Sequence, residues 1–428
     1  MRILINSLNF SPELTGIGKY SGSMCSWLLE AGHEVRVVAS PPYYPDWRIE
    51  KEYSAWAYQR ESFSVAGSLS TTLETSAIGD VRTGEVYRCP LWVPDRPSGL
   101  KRLIHLGSFA LSSLPVMLRQ AFWRPDVVWV VAPAFFCAPG AWLTARLSGA
   151  PVWLHVQDYE VDAAFDLGLL KGERIKRFVL AVERFIFKRF DVVSTISGRM
   201  LDRALSKGVR ADRAVMFPNW VDISSIHPRL AGGSYRAELG FAADDVVALY
   251  SGNMGNKQGL EILADAARLL VNSPKLRFVF CGNGAGRADL EARCAGLPNV
   301  TFLDLQPLER LGDLLTCADI HLLPQRADAA DLVMPSKLTG MLASGRPVVV
   351  TAHPGTEVAR VVEGCGRVVP PEQADVFADA IASLADDAEQ RANFGVAARR
   401  YAEENLDKDA VLRRFEAELL KLAGKAAS

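Results

Sequence analysis

The sequence predicts a two-domain α/β protein built on parallel sheets, and three observations lead there. The chain has 428 residues, more than one hydrophobic core usually organises. Short apolar strands that end in glycine-bearing loops and continue into helices recur in both halves. The stretch Val333–Val350, VMPSKLTGMLASGRPVVV, shows the repeated unit most clearly. There Ser336 reads as an N-cap, Lys337–Ala343 as a short helix, Ser344-Gly345-Arg346-Pro347 as its stop and Val348-Val349-Val350 as a buried parallel strand. A helix start presents unpaired N–H groups and a partial positive charge to an anion, and Lys337 in the first turn adds a full charge.

Composition narrows the class. Hydrophobic residues make up 49% and charged residues 23%, the balance of a globular protein with full cores. Seven scattered cysteines, none in a CxxC pair, point to reduced thiols, a cytoplasmic setting and no structural zinc. The opening MRILINSLNF reads as a strand, with too short an apolar run for a secretory leader. Val127–Ala145 runs 19 residues without a charge, but Pro133, Pro139 and Gly140 break it into strand, loop and helix. Net charge is −1; residues 1–215 hold 26 Lys and Arg against 21 Asp and Glu, so the first half is the better face for an anionic partner. With no strongly basic groove, nucleic-acid binding is not expected.

In the first half, Arg2–Asn9 is read as a strand, Tyr20–Ala31 as a helix and Val35–Ala39 as the next strand. Gly16 and Gly18 form the turn of this βαβ unit and lack the third glycine of a dinucleotide fingerprint, yet small residues there let backbone N–H groups approach a phosphate or a sugar. Tyr43, Tyr44 and Trp47 lie in the aromatic, proline-rich loop past the second strand. The Ser/Thr/Gly-rich residues 67–84 read as a flexible excursion. Residues 96–125 carry Arg96, Lys101, Arg102, Arg119 and Arg124, no acid, and interleaved apolar side chains, which is the composition of a basic amphipathic segment lying on an anionic membrane surface; a helix packed on the domain is the alternative. Asp126–Val131 and Pro151–Val156 are strands, and the second spills into Gln157-Asp158-Tyr159-Glu160. His155, Asp158 and Glu160 therefore fall near a strand's carboxyl end, where parallel α/β sheets bind ligands. The interdomain linker is placed at Pro218–Asp222.

The second half opens a fresh repeat. Strand Val246–Ser251 leads into a loop with Gly252, Asn253, Lys257, Gln258 and Gly259; strand Leu276–Cys281 leads into Gly282, Asn283 and Gly284. Two glycine-rich loops on one carboxyl edge are a stronger signal than either alone. The last helix, Leu406–Ala423, carries an apolar stripe of Val411, Leu412, Phe415, Leu419 and Leu420.

The order of Gly252…Lys257-Gln258-Gly259, Cys281-Gly282-Asn283-Gly284, residues 297–325 and Ala343-Ser344-Gly345-Arg346-Pro347-Val348 resembles the family-four glycosyltransferases of GT-B fold over nearly the whole chain. LHVQDYEVDAAFDLGLL (154–170), YSGNMGNKQGLEIL (250–263) and ADLVMPSKL (330–338) resemble a narrower group, the colanic-acid-type exopolysaccharide transferases assigned to fucosyl transfer. The resemblance implies two Rossmann-like domains facing across a cleft, residues 1–217 binding the acceptor and 218–405 the nucleotide-sugar, with the 406–428 helix returning to the first domain. It implies retaining, metal-independent transfer of a hexose, first L-fucose from GDP-fucose, to a polyprenyl-diphosphate-linked sugar. It also implies a peripheral position at the inner membrane and no cofactor besides the donor. Alternatives are a UDP-sugar donor or a non-catalytic nucleotide-sugar-binding protein.

The sequence departs from the family at defined positions. Asn253 stands where an arginine is usual, and Gln258 where a lysine is usual, with Lys257 one place earlier. The family's paired glutamates would fall at Leu332 and Gly340, which removes the usual ribose ligand. Lys257, Lys337 and the helix start at Pro335-Ser336 then remain to neutralise the donor diphosphate. Asp158 is the first candidate for the carboxylate facing the reacting sugar, His155 the second, with a structural role as its alternative, and Glu160 the third. Asp407-Lys408-Asp409 matches a metal-type spelling but opens the last helix, away from the glycine loops.

Overall fold

The computed structural model describes residues 1–13, 16–65, 82–95, 99–132, 135–159, 173–228, 233–255, 258–327 and 334–424. The chain divides into two units, Met1–Phe217 with Leu412–Ser428, and Pro218–Val411.

The first unit runs β1 (Arg2–Ser7), α1 (Gly16–Glu30), β2 (Glu34–Ala39), β3 (Gln59–Val65), β4 (Arg82–Arg88), α2 (Gly99–Gln120), β5 (Val127–Ala132), α3 (Ala138–Ser148), β6 (Val152–Val156), α4 (Glu173–Phe187), β7 (Val192–Thr195), α5 (Gly198–Ser206) and β8 (Ala214–Met216). Its sheet has the order β3-β4-β2-β1-β5-β6-β7-β8. Only the β3–β4 pair is antiparallel. β5 and β6 are buried along their whole length, which is why they read as unbroken apolar runs. α1 starts at Gly16, four residues before the expected Tyr20, so the glycines belong to the helix start. The β3–β4 hairpin was not foreseen, because polar and charged residues fill most positions of its strands and its connection is long. Of the excursion expected over 67–84, residues 82–84 belong to β4 and the rest lie outside the described residues. Val127–Ala145 resolves into β5, a 3-10 turn at Phe135–Cys137 and the start of α3. Among the described residues no helix is long and apolar enough to cross a membrane.

The second unit runs α6 (Gly233–Glu238), β9 (Val246–Ser251), α7 (Glu261–Leu269), β10 (Leu276–Cys281), α8 (Arg287–Arg293), β11 (Val300–Leu303), α9 (Leu308–Cys317), β12 (Ile320–Leu323), α10 (Ser336–Ala343), β13 (Val348–Thr351), α11 (Glu357–Val362), β14 (Gly366–Val369), α12 (Ala374–Asp386), α13 (Ala388–Asn405) and α14 (Lys408–Leu422). The sheet order β11-β10-β9-β12-β13-β14 is all parallel and reverses direction between β9 and β12. Beyond the carboxyl ends of the strands at such a reversal lies the usual ligand position in parallel α/β sheets.

α14 links the units along the chain. Asp407 caps it by accepting the Ala410 N–H at 2.8 Å, and Val221 donates to the Leu406 carbonyl at 2.9 Å. From Leu412 the helix belongs to the first unit, a few residues later than the expected start at 406. Phe415 stacks on Phe217 at 4.3 Å and meets the edges of Trp153 and Trp129, while Glu416 pairs with His33 at 2.7 Å. Asp407 is thus engaged as a helix cap.

Candidate functional site

In the second unit, the carboxyl ends of β9 and β12 bring four expected residues together. Lys337 lies in the first turn of α10. Its Nζ donates to Tyr250 Oη at 3.0 Å and to Gln258 Oε1 at 3.1 Å, and sits 4.4 Å from the Tyr250 ring centroid. Its methylenes cover Gly252, where an added Cβ would stand 3.6 Å from Lys337 Cε. Tyr250 is fully buried and donates its own hydroxyl to the Asn253 carbonyl at 2.7 Å. One phenol therefore fixes both the ammonium and the turn of the glycine loop. No sequence argument pointed to Tyr250, which reads as one more apolar residue of a buried strand.

Among the described residues no carboxylate pairs with Lys337. Burial pulls its pKa from the ordinary 10.5 down to about 7. A cation withdrawn from water with only neutral acceptors among the described residues is a setting in which an anion would restore the charged form.

The start of α10 points the same way and corrects one expectation. Ser336 is the first helical residue; the cap position is Pro335, which makes no side-chain cap bond. Proline has no side chain able to accept from the first turn, so those N–H groups lack the partner a serine cap would give them. Ser336 itself is exposed.

The second glycine loop has a packing role. A Cβ on Gly282 would lie 1.9 Å from the Gly252 carbonyl oxygen, so the two loops close on each other only with glycine there. Met254 N–H donates to Asn283 O at 2.9 Å, and the Asn283 side chain accepts from Arg287 at 2.6 Å. Gly282 and Asn283 thus shape the loop that carries Gly252 and the exposed Asn253. Lys257 lies outside the described residues.

In the first unit, the expected catalytic residues separate. His155 faces inward: 1% exposed, Nδ1 2.8 Å from Ser194 Oγ, stacked on Trp129 at 5.4 Å and edge-on to Phe217 at 5.1 Å. Burial pushes its pKa down to about 3, so it is a neutral packing group, and the catalytic reading of His155 is replaced by the structural one. Strand alternation explains this, because His155 shares the face of Trp153, under Phe415. Asp158 stands two residues beyond β6 and is half-buried, past the strand end. Glu160 lies outside the described residues.

Gly16 and Gly18 sit in the first turns of α1. A Cβ on Gly18 would meet Glu13 Oε2 at 2.6 Å, so its smallness lets the β1 loop close over the helix. Glu13, also unforeseen, is buried and accepts the N–H groups of Tyr43 and Tyr44 at 3.1 and 3.0 Å, tying the β1 loop to the β2 loop. Desolvation raises its pKa against these bonds. Tyr43 of the proline-rich loop is buried, with its hydroxyl 3.0 Å from His105 Nε2. Tyr44 and Trp47 are half-buried beside it; Lys101, Arg102, Arg119 and Arg124 are exposed on and just after α2, and Arg96 lies outside the described residues.

Comparison with known proteins decides the family. Residues 15–220 match the glycosyl transferase 4-like domain and residues 245–387 match the glycosyl transferases group 1. The chain belongs to the GT-B glycosyltransferases. An Escherichia coli K12 protein named for colanic acid biosynthesis as a glycosyl transferase, WcaI, is 44% identical over 97% of this chain and 98% of its own. Sucrose-phosphate synthase of Thermosynechococcus elongatus superposes with a TM-score of 0.71 at 16% identity, over all of both chains. Anabaena Alr3699/HepE, solved in complex with UDP, gives 0.64 at 16% identity over 98% of this chain and all of its own. The transferase thus has both Rossmann-like domains of the GT-B fold, with its terminal helix on the first.

Proposed function

We propose that this transferase moves a hexose, with L-fucose from GDP-fucose as the first candidate, onto a polyprenyl-diphosphate-linked sugar during exopolysaccharide assembly, working in the cytoplasm at the inner membrane. The carrying observation is Lys337, an ammonium drawn from water at the β9/β12 reversal with no carboxylate partner among the described residues. The relative named for colanic acid biosynthesis supports the pathway class.

In this reading the second unit holds the donor and the first the acceptor. As the sugar leaves with retention, negative charge builds on the departing diphosphate. Lys337, held in place beforehand by Tyr250 and Gln258, stabilises it together with Lys257 and the N–H groups opening α10. These cationic groups neutralise the diphosphate without a resident metal. Asp158 assists the incoming hydroxyl. The exposed basic side chains of α2 meet anionic lipid.

A panel of GDP-fucose, GDP-mannose, UDP-glucose and UDP-N-acetylglucosamine, read by thermal shift and then by transfer onto polyprenyl-diphosphate-glucose, tests the reading. GDP-fucose is expected to stabilise the protein most and to be consumed only with acceptor present. Selective use of a UDP-sugar would replace the donor, a reading favoured by the UDP held in the Anabaena neighbour. Binding with no transfer to any acceptor would replace the enzyme with a nucleotide-sugar-binding protein.

A further inference from the structure

Large apolar side chains are exposed very unevenly in the described residues. Fourteen of the seventeen belong to the first unit, leaving only Leu269, Leu305 and Val396 on the second. Beyond those of α2, a group lies on α3 and α4. β5, β6 and β7 are consecutive in the sheet, so right-handed crossovers place both helices on the same side of it. Phe135, leading into α3, packs 5.6 Å from Phe187 of α4.

On α4 the exposed residues are Phe178, Val182 and Phe185, spaced as one stripe, with Phe178 69% and Phe185 56% accessible. On α3, Leu143 and Leu147 stand one turn apart, Leu147 63% accessible. A folded helix does not leave two phenylalanines in water without a use for them. Among the described residues the exposed charged side chains of α3 and α4 are of one sign. Arg146, Arg174, Arg177, Arg184 and Lys188 are exposed, whereas Glu183 of α4 turns inward onto Lys207. A cavity of about 340 Å³ opens where the C-terminal ends of α3 and α4 meet, lined by Trp142, Arg146, Lys188 and Arg189 among others. The Arg189 guanidinium lies 3.2 Å from the Phe185 ring centroid and 5.6 Å from that of Trp142. Asp191 also lines the cavity, but its carboxylate accepts the Val152 N–H at 2.9 Å.

We propose that α3 and α4 form a membrane-contact face beside α2, in which the Phe178–Phe185 stripe enters an anionic bilayer and the Arg146/Lys188 cavity seats a lipid phosphate. The proposal rests on the membrane reading above and adds a surface to it. An apolar stripe within a basic collar is the arrangement that binds lipid interfaces: burial of the rings supplies adhesion, and the collar selects anionic headgroups. A second protein copy fits less well, because an identical basic collar would repel it.

The test is pelleting of the full-length enzyme with vesicles of phosphatidylglycerol and phosphatidylcholine, against phosphatidylcholine alone. Two variants are compared with wild type: Phe178→Ser/Val182→Ser/Phe185→Ser, and Arg146→Glu/Lys188→Glu. Each is expected to bind anionic vesicles roughly tenfold more weakly or worse, with wild-type thermal melting and donor affinity. The charge variant should also lose the preference for phosphatidylglycerol. Loss of binding only in an α2 variant, Lys101→Glu/Arg119→Glu, would overturn this face and keep the α2 reading. No binding by wild type would overturn both membrane assignments, while donor binding and transfer still judge the enzyme. A change in oligomeric state with vesicle binding intact would assign the stripe to a second copy, and inorganic phosphate binding without vesicle binding would reduce the cavity to an anion site; either result overturns the proposal.

Discussion

Lys337 and His155 make an instructive pair. Each is a titratable side chain near the carboxyl edge of a parallel sheet, and burial pulls the pKa of each below its ordinary value. Their surroundings are opposite. His155 shares Ser194 Oγ with the Trp153 indole N–H and lies between aromatic rings, and as a neutral ring it carries no charge to balance. Among the described residues Lys337 meets only neutral acceptors, and it lies against a glycine loop and a helix start without a side-chain cap. Burial by itself marks a core; buried charge lacking a counter-charge, at a loop-lined strand end, marks a place kept for a ligand.

Breaking the comparison from the Lys337 side gives the largest effect. Lys337→Ala is expected to lower kcat/KM for transfer roughly 100- to 1000-fold, equivalent to about 3–4 kcal/mol of barrier. Thermal melting should hold or rise, because the variant removes a charge from a partly dry site that no carboxylate balances. Near-normal turnover by the purified variant would end the assignment. Asp158→Ala should follow, with turnover reduced roughly 100-fold or more and donor affinity by calorimetry kept. A large loss of affinity with normal turnover at saturating donor would move Asp158 into donor binding.

His155 should behave the other way. His155→Leu keeps the bulk but leaves Ser194 without its histidine partner, and is expected to cost roughly 1–3 kcal/mol of stability in denaturant unfolding. Transfer well below the melting temperature should be nearly unchanged. A folded, stable variant that has lost turnover would restore a chemical role to the ring.

The same pair shows what a sequence can and cannot reveal. Lys337 was legible because its signals are local: a turn, a proline, a short apolar helix and one cation, in consecutive residues. The parallel strands were legible for the same reason, being short apolar runs followed by glycine. Tyr250, Glu13 and the inward turn of His155 were not, because each depends on what stands opposite in space. Tyr250 acquires meaning from Lys337, 87 residues away, and Glu13 from the N–H groups of the β2 loop. Residues 154–156 read as a strand, but which face meets Phe415 depends on a helix from the far end of the chain. The glycine at 282 illustrates a subtler limit: it is required by the Gly252 carbonyl packed against it, and a glycine-rich spelling does not say whether a ligand or another loop fills the space.

Tyr250 sharpens the comparison by a smaller step. Tyr250→Phe keeps the ring under Lys337 and removes the hydroxyl that joins the ammonium to the Asn253 carbonyl. Losing such a bond costs about 0.5–1.5 kcal/mol. The expected result is a modest rise in donor KM with little change in kcat, since the lysine and its charge remain. An unchanged KM would show that Lys337 needs no support from the phenol.

The smallest signal is a proton. Before a donor binds, Lys337 holds its proton only up to about pH 7, well below an ordinary lysine. A diphosphate beside it favours the charged form and raises that pKa again. At pH 8 donor binding must therefore take up a fraction of a proton, and affinity must fall as pH rises above 7 toward the pKa of the complex. A nucleotide-sugar is the right probe, because both its phosphates are esterified on their outer sides and neither ionises near neutrality. Calorimetric titration at pH 8 in two buffers of different ionisation enthalpy should give binding enthalpies that differ by the proton taken up, and the difference should vanish in Lys337→Ala. Uptake that persisted in that variant would assign the proton to another group. No uptake in the wild type would mean that Lys337 does not change its protonation when the donor binds, and the linkage between its proton and the diphosphate would fail.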